Sequence, residues 1–204
     1  MTSKIKHDGH DSTRLDARGR ERLPPLAEAD WTAEQRAAVA AFSAGRGYLP
    51  LGPFWVMLRS PEVMLRAKAM GDYLRHRNRL QKDISEMVIL MTARLWSQDF
   101  EWVHHKKYAL EAGLSDAIID AVEDGRRPET LSVPEAAAYD FTSELSTNKR
   151  VSDPTYASAV AAFGEPGVID LIGLHGYYTM LAMMMNVART QIAPGEKDLP
   201  RWPD

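Results

Sequence analysis

The densest run of chemically capable side chains is Gln98-Asp99-Phe100-Glu101-Trp102-Val103-His104-His105-Lys106-Lys107-Tyr108. Glu101 and His105 lie four residues apart, so on a helix they are neighbours on one face, with Gln98 a turn earlier and Tyr108 close to the same stripe. A carboxylate beside an imidazole can raise the ring's pKa and fix its tautomer, which suits the ring to taking or giving a proton near neutral pH. The same spacing also fits a solvated Glu–His pair on an exposed helix face, worth only a few tenths of a kcal/mol. Glu101 and His104 have the E-x-x-H spacing of carboxylate-bridged di-iron bundles as well. No second E-x-x-H accompanies them in the chain, so the expectation is no metal, with a metal-dependent enzyme kept as an alternative.

Three further groups bear on that cluster. Glu86 stands in a run of apolar residues, where a lone carboxylate in a dry interior costs several kcal/mol. It must therefore be paired, hydrogen-bonded or protonated, with an unusual pKa. An arginine such as Arg94 or Arg66 would provide a purely structural partner. His175, Tyr177 and Tyr178 lie in a later apolar run and could complete a pocket wall, although a core histidine bonded to its surroundings is an equal reading of His175. Arg75, Arg77 and Arg79 could bind an anionic substrate or simply solvate a helix end.

The elements that must position these groups are helices. Thr32 with Gln35 and Ser132 with Glu135 have the spacing of capping boxes. Ser60-Pro61 opens a helix expected to reach about residue 77, and Asp83 can start the next, over 84–95. Helices are further predicted over 99–112, closed by Gly113, and over 115–124, closed by Gly125. Ser152-Asp153-Pro154 caps another that stops at Gly164, and Glu165-Pro166 opens the last. The Ala-rich helix after Thr32 is expected to end at Gly45. No stretch alternates with period two between hairpin turns, so the fold class is all-α. Two helices, 84–95 and 168–188, are apolar nearly all round and are expected at the centre of the bundle. Each carries one early acid, Glu86 and Asp170, and follows a more amphipathic helix and a loop, a hint of two pseudo-repeated halves. The 168–188 run is long enough to raise a membrane question. It holds Asp170, His175 and Asn186 without Lys/Arg-rich flanks, which favours a buried core helix.

Composition removes whole classes of function. The 204 residues favour one domain over 23–204, preceded by a polar arm over 1–22 that reads as mobile or docked on a partner. The absence of cysteine excludes disulfides, zinc fingers, iron–sulfur clusters and thiol chemistry. The 25 Lys and Arg against 28 Asp and Glu give a net charge of −3, with no basic excess for nucleic acid. The arm lacks the apolar segment of a secretory signal, which leaves the cytoplasm as the expected location. No nucleotide-binding glycine fingerprint or nucleophile elbow occurs.

The order Leu80-Gln81-Lys82-Asp83-Ile84-Ser85-Glu86-Met87-Val88-Ile89-Leu90, then Trp96 to His105, then Ala109 and Ala112-Gly113-Leu114-Ser115, resembles the carboxymuconolactone decarboxylase family, which includes alkylhydroperoxidase D (AhpD). The resemblance extends less sharply from Leu23-Pro24-Pro25-Leu26 to Gly176-Tyr177-Tyr178-Thr179-Met180 and Asn186. In the peroxidase branch a Glu, a Cys-x-x-Cys pair and a His form a proton relay. On this chain the Glu falls on Glu86 and the His on His105, while the cysteine positions fall on Gln98 and Glu101. The resemblance thus implies the relay's ends without its sulfurs, so peroxidase activity is disfavoured. What it implies instead is an AhpD-like helical bundle forming a homo-oligomer. Its activity would be a cofactor-independent, lyase- or isomerase-type acid–base reaction on a small carbonyl or lactone carboxylic acid. The implied catalytic set is Glu86, Glu101 and His105, with Gln98, Trp102, His175 and Tyr178 against the substrate and neither nucleic acid nor membrane as partner. A non-catalytic oligomeric binding protein of the same fold is the alternative.

Overall fold

Thr32 starts the first long helix in the way its spacing predicts. Its hydroxyl accepts from Gln35 N at 3.2 Å while Gln35 Oε1 accepts from Thr32 N at 2.9 Å, satisfying two otherwise orphaned donors. The computed structural model describes residues 19–44 and 48–201. Most of the expected arm, the expected helix stop at Gly45 and the final three residues lie outside the described residues. After a short 3₁₀ turn at Glu28–Asp30 the helices are α1 (Ala33–Ser43), α2 (Pro53–Met57), α3 (Pro61–His76), α4 (Lys82–Leu95), α5 (Asp99–Glu111), α6 (Asp116–Glu123), α7 (Val133–Asn148) and α8 (Asp153–Ala188). Among the described residues there is no β-strand, and the fold is all-α as expected.

The local signals act at most boundaries. Ser132 and Glu135 form the second reciprocal cap, and Gly164, at φ 68° and ψ 166°, breaks α8 at the expected stop with Pro166 just beyond it. Three starts differ from expectation. Ser152 makes no side-chain cap for α8, leaving Pro154 in its first turn to open it. Ser60 makes no side-chain cap, leaving Pro61 with its preset φ to open α3. Helix α4 starts after Gln81 rather than at Asp83, which lies in its first turn. The short α2 has no counterpart among the expected helices; its turn is made by Gly52 at φ 48°, where any Cβ would overlap the Phe100 ring.

Helix α4 is the axis of the molecule. It packs against α5, α6, α7 and α8, and Ile84, Met87, Val88, Leu90 and Ala93 are completely buried. Helix α8 departs from the expectation that it too is enclosed. It buries Leu171, Leu174, Tyr178, Leu181 and Met185, while Ile169 (66% exposed), Ile172, Met183 and Val187 (60%) remain on one face at helical spacing. Its neighbours α2, α3, α4 and α7 cover the other side only. Among the described residues α8 is the one helix long and apolar enough to cross a membrane, and a third of its most apolar window is buried inside the protein.

Two tethers fix the N-terminus of α5 in this frame. Buried Asp99 accepts from Leu199 N at 2.7 Å and from Arg201 at 2.6 Å, so the C-terminal segment straps down the start of the helix. Close approach of α3 and α8 depends on Gly71, where a Cβ would collide with the Tyr177 hydroxyl.

Candidate active site

A tight turn joins α4 to α5. Ser97 takes a left-handed φ of 45°, and Gln98 then caps α5 by accepting from Glu101 N at 3.0 Å. This start directs Glu101, His104, His105 and Tyr108, one face of α5 at helical spacing, towards α3 and α8, where all four line a cavity of about 380 Å³. The walls are largely aromatic, with Phe42 from α1, Phe54 from α2, Phe100 from α5 and Tyr177 and Tyr178 from α8.

Glu86, on α4, stands behind His105 and does not itself line the cavity. His105 Nδ1 donates to Glu86 Oε2 at 2.6 Å, with both side chains almost entirely withdrawn from solvent. A carboxylate only accepts, so the proton of the neutral ring sits on Nδ1 and the lone pair on Nε2, which makes no hydrogen bond among the described residues. Lys82, half exposed one turn before Glu86, places its ammonium 3.0 Å from Oε1 in an ion pair whose angles fall outside those of a hydrogen bond. Burial alone would raise the Glu86 pKa, but His105 and Lys82 outweigh it and hold the carboxyl below its ordinary value. Burial lowers His105, more than Glu86 raises it. Near neutral pH the pair is therefore a carboxylate and a neutral imidazole. The partner of Glu86 is thus His105 with Lys82 and not Arg94 or Arg66; Arg66 pairs on the surface with Glu62.

Glu101 is 2% exposed, and neither of its carboxyl oxygens has a hydrogen-bond partner. Burial pushes its pKa well above the ordinary value, so the neutral acid is favoured. The expected Glu101–His105 pair is not formed. The two side chains share a face as the spacing requires, yet His105 spends its Nδ1 proton on Glu86 across the helix interface, where its partners favour the charged carboxylate while burial disfavours the charged form of Glu101. His104 stacks on Phe100 and is held neutral, burial and then the neighbouring His105 lowering its pKa to about 3. The Tyr178 ring meets His105 edge-on at 5.0 Å, and burial raises its phenol pKa.

Three of the expected substrate contacts lie elsewhere. Gln98 is buried outside the cavity with both ends of its amide engaged, the nitrogen donating to Asn186 Oδ1 at 3.2 Å. Trp102 turns to the other side of α5 and joins the hydrophobic core, with the Lys106 ammonium 5.9 Å from its ring centre. His175 faces α4 and α7, its Nδ1 2.9 Å from Thr92 Oγ1 and its Nε2 3.2 Å from Ser146 Oγ. Asp170, the second early acid, accepts from the Tyr73 hydroxyl at 2.8 Å and from Arg79 N at 2.9 Å, fastening the α3–α4 loop rather than entering the cavity. Among the described residues no three His, Asp or Glu side chains converge as a metal ion would require.

Sequence reasoning left the roles of Arg75 and His104 open, and both line the cavity. The available signal was their spacing: His104 continues the stripe of Glu101 and Tyr108, whereas nothing local separates Arg75 from Arg77 and Arg79.

No family model matches the chain, and no match is found among curated proteins. Solved structures do match. The debrominase Bmp8 in its ligand-free form aligns over 84% of this chain and 92% of its own, with a TM-score of 0.65 at 13% identity. A cysteine-to-alanine variant of Bmp8 in complex with 2,3,4-tribromopyrrole aligns with the same score and identity over 84% and 91%. A protein of unknown function from Agrobacterium tumefaciens, whose name associates it with the antioxidant defence protein AhpD, aligns over 66% of this chain and 93% of its own, with a TM-score of 0.59 at 17% identity. The chain has the AhpD-like all-α fold.

Proposed function

We propose that the protein is a cofactor-independent acid–base enzyme of lyase or isomerase type, acting on a small carbonyl or lactone carboxylic acid, as in the carboxymuconolactone decarboxylase branch of this fold. One observation carries the reading. A base with a free nitrogen, His105, and a buried carboxyl favoured in its neutral form, Glu101, line the same largely aromatic cavity. Opposed environments leave one group able to take a proton and the other able to give one.

The chemistry derives from those states. His105 Nε2 removes a proton from a carbon beside a carbonyl, the electron pair moves onto the carbonyl oxygen, and the Glu101 hydroxyl donates a hydrogen bond to the oxygen as charge develops. Returning the proton at another carbon completes an isomerisation. In the lyase variant the bond to a carboxylate breaks, carbon dioxide leaves, its electron pair moves towards the carbonyl, and Glu101 protonates the carbon. Glu86 acts through His105 by fixing the tautomer and countering the charge the ring acquires. Tyr178 packs against the ring and limits its orientation.

The test is proton exchange and turnover in D₂O, followed by NMR, with a panel of γ-lactone carboxylates and β-keto acids. Wild-type protein is expected to exchange or convert at least one member, and His105→Ala and Glu101→Gln to lose this while keeping the far-UV helical signal. No reaction above buffer across the panel, or full activity in both variants, overturns the reading.

We further propose a cytoplasmic homo-oligomer in which the exposed α8 face of Ile169, Ile172, Met183 and Val187 is covered by another copy. The non-catalytic binding reading draws on the same face. A single monomeric species in sedimentation velocity across a hundredfold concentration range counts against self-association.

A further inference from the structure

Of the three arginines around the end of α3, Arg75 alone lines the cavity. Arg79 turns to Asp170 and the Tyr73 hydroxyl instead. The Arg75 guanidinium lies 5.1 Å from the centre of the Tyr108 ring. No carboxylate stands within ion-pairing distance of it among the described residues, and its buried Nε has no hydrogen-bond acceptor. An unsatisfied buried donor is costly, more so when charged, and a guanidinium does not escape that cost by losing its proton.

Among the described residues no other group of the cavity pairs with it directly, although the Glu86 carboxylate favours its charge through space. His104 is neutral, Glu101 favours its neutral form, and the carboxylate of Glu86 is already balanced by Lys82 and engaged by His105. Arg75 therefore presents the cavity with a guanidinium that has no ion-pair partner among the described residues, and around it stand flat apolar rings: Phe42, Phe54, Phe100 and Tyr177. A guanidinium fork matches the two oxygens of a carboxylate, whereas an ammonium ligand would be repelled and a dianion over-compensated. Aromatic walls favour a planar body that stacks offset or edge-on.

We infer that Arg75 is the anion anchor of this cavity and that the ligand is a planar, conjugated monocarboxylate, its carboxylate on Arg75 and its flat body against the aromatic walls. This names the substrate class for the acid–base reading and rests on it for the reaction of the bound ligand, but binding itself can be measured without turnover. Anchored at Arg75 on α3, the ligand's body extends towards the α5 face that carries Glu101 and His105.

Benzoate serves as the probe, with benzamide, benzylamine and cyclohexanecarboxylate as comparisons, each titrated into the full chain by calorimetry and by ligand-observed NMR. Benzoate is expected to bind, benzamide and benzylamine at least about tenfold more weakly, and cyclohexanecarboxylate several-fold more weakly. Arg75→Gln should lose about tenfold or more for benzoate with little change for benzamide, and Arg75→Lys should restore part of the loss as a point charge without the fork. In His105→Ala any turnover should be lost while the preference for benzoate over benzamide, set at Arg75, persists, which separates the two ideas. A preference that survives in His105→Ala supports the anchor whatever becomes of the acid–base reading, and its loss there counts against the anchor. Equal binding of benzoate and benzamide by wild type, undiminished benzoate affinity in a folded Arg75→Gln, or no benzoate binding at all overturns the anchor. If Arg75→Gln fails to fold, the benzoate and benzamide comparison on wild type decides.

Discussion

His105 and His175 lie in one molecule, both largely withdrawn from solvent, and burial lowers the pKa of both. Charge state does not separate them. His175 has a hydroxyl against each nitrogen, Thr92 on one side and Ser146 on the other; the neutral ring donates to one of them and accepts from the other, whose proton turns to the ring from its own helix carbonyl. The ring closes a hydrogen-bond chain linking α4, α7 and α8, with no nitrogen left for a substrate. Among the described residues His105 is tied on one side only, and its ring lines a cavity. A buried histidine becomes a candidate catalyst through the valence its neighbours leave open.

The largest expected effect breaks this comparison most directly. On any substrate found, His105→Ala should lower kcat/KM by about 10²–10⁴-fold, and His175→Ala should change it by less than about tenfold. Equal losses in steady-state kinetics would mean that the two rings are not functionally different. The reverse holds for stability: His175→Ala leaves two hydroxyls without their partner and should destabilise by about 1–3 kcal/mol in urea unfolding. No measurable change would show that the chain of bonds does not hold the helices.

The same contrast extends to the two buried carboxyls. Glu101 has its pKa raised, so the native state keeps a proton that the unfolded chain releases, and stability falls as pH rises from the ordinary value of 4.5 through the folded value. Glu101→Gln removes that dependence. Its melting temperature should gain on wild type as pH rises from 5 to 8, with a slope of up to about 1.4 kcal/mol per pH unit within the window. Glu86 has its pKa lowered, so its contribution is present above 4.5 and is lost as pH falls through the folded value. Glu86→Gln should therefore be most destabilising near neutral pH and progressively less so in acid. Parallel pH profiles for the two variants would erase the distinction between a paired and an open carboxyl.

The smallest expected effect sharpens the picture at Lys82. Replacing it by Met removes the cation that balances Glu86, so the His105 pKa should rise, by a fraction of a unit because the ammonium is half exposed and screened. His175, whose nearest charged influence is Lys149, should titrate unchanged. NMR titration of the ring protons reads both at once. A fall in the His105 pKa, or equal movement of both rings, would show that Lys82 does not act through Glu86.

Much of the fold was legible locally. Thr32, Ser132 and Gly164 mark boundaries through hydrogen bonds and dihedrals that involve only near neighbours, so their residue types suffice. The five-residue α2 was not legible, because it is too short for a periodic signal and depends on a Gly52 turn set against Phe100. Helix α8 was misjudged as enclosed because an apolar helix looks the same in sequence whether neighbours cover it on one side or all round. At the site, the i, i+4 spacing put Glu101 and His105 on one face but suggested a bond between them. The bond that forms joins His105 to Glu86, nineteen residues away on another helix. Gln98 looked like a substrate contact because it occupies a motif position, yet helix capping consumes its side chain.

What the sequence by itself determined is an all-α chain with one stripe of Glu and His side chains on α5, an apolar axis at α4 that had to find a partner for Glu86, and no thiol to carry redox chemistry. Capping, periodicity and composition are properties of neighbouring residues, and they read out directly. Only the tertiary structure decided which histidine keeps a free nitrogen, which carboxyl stays unpaired and which arginine faces the cavity. Those outcomes depend on the atoms that α3, α4, α7 and α8 bring from far along the chain, and on the burial they impose together.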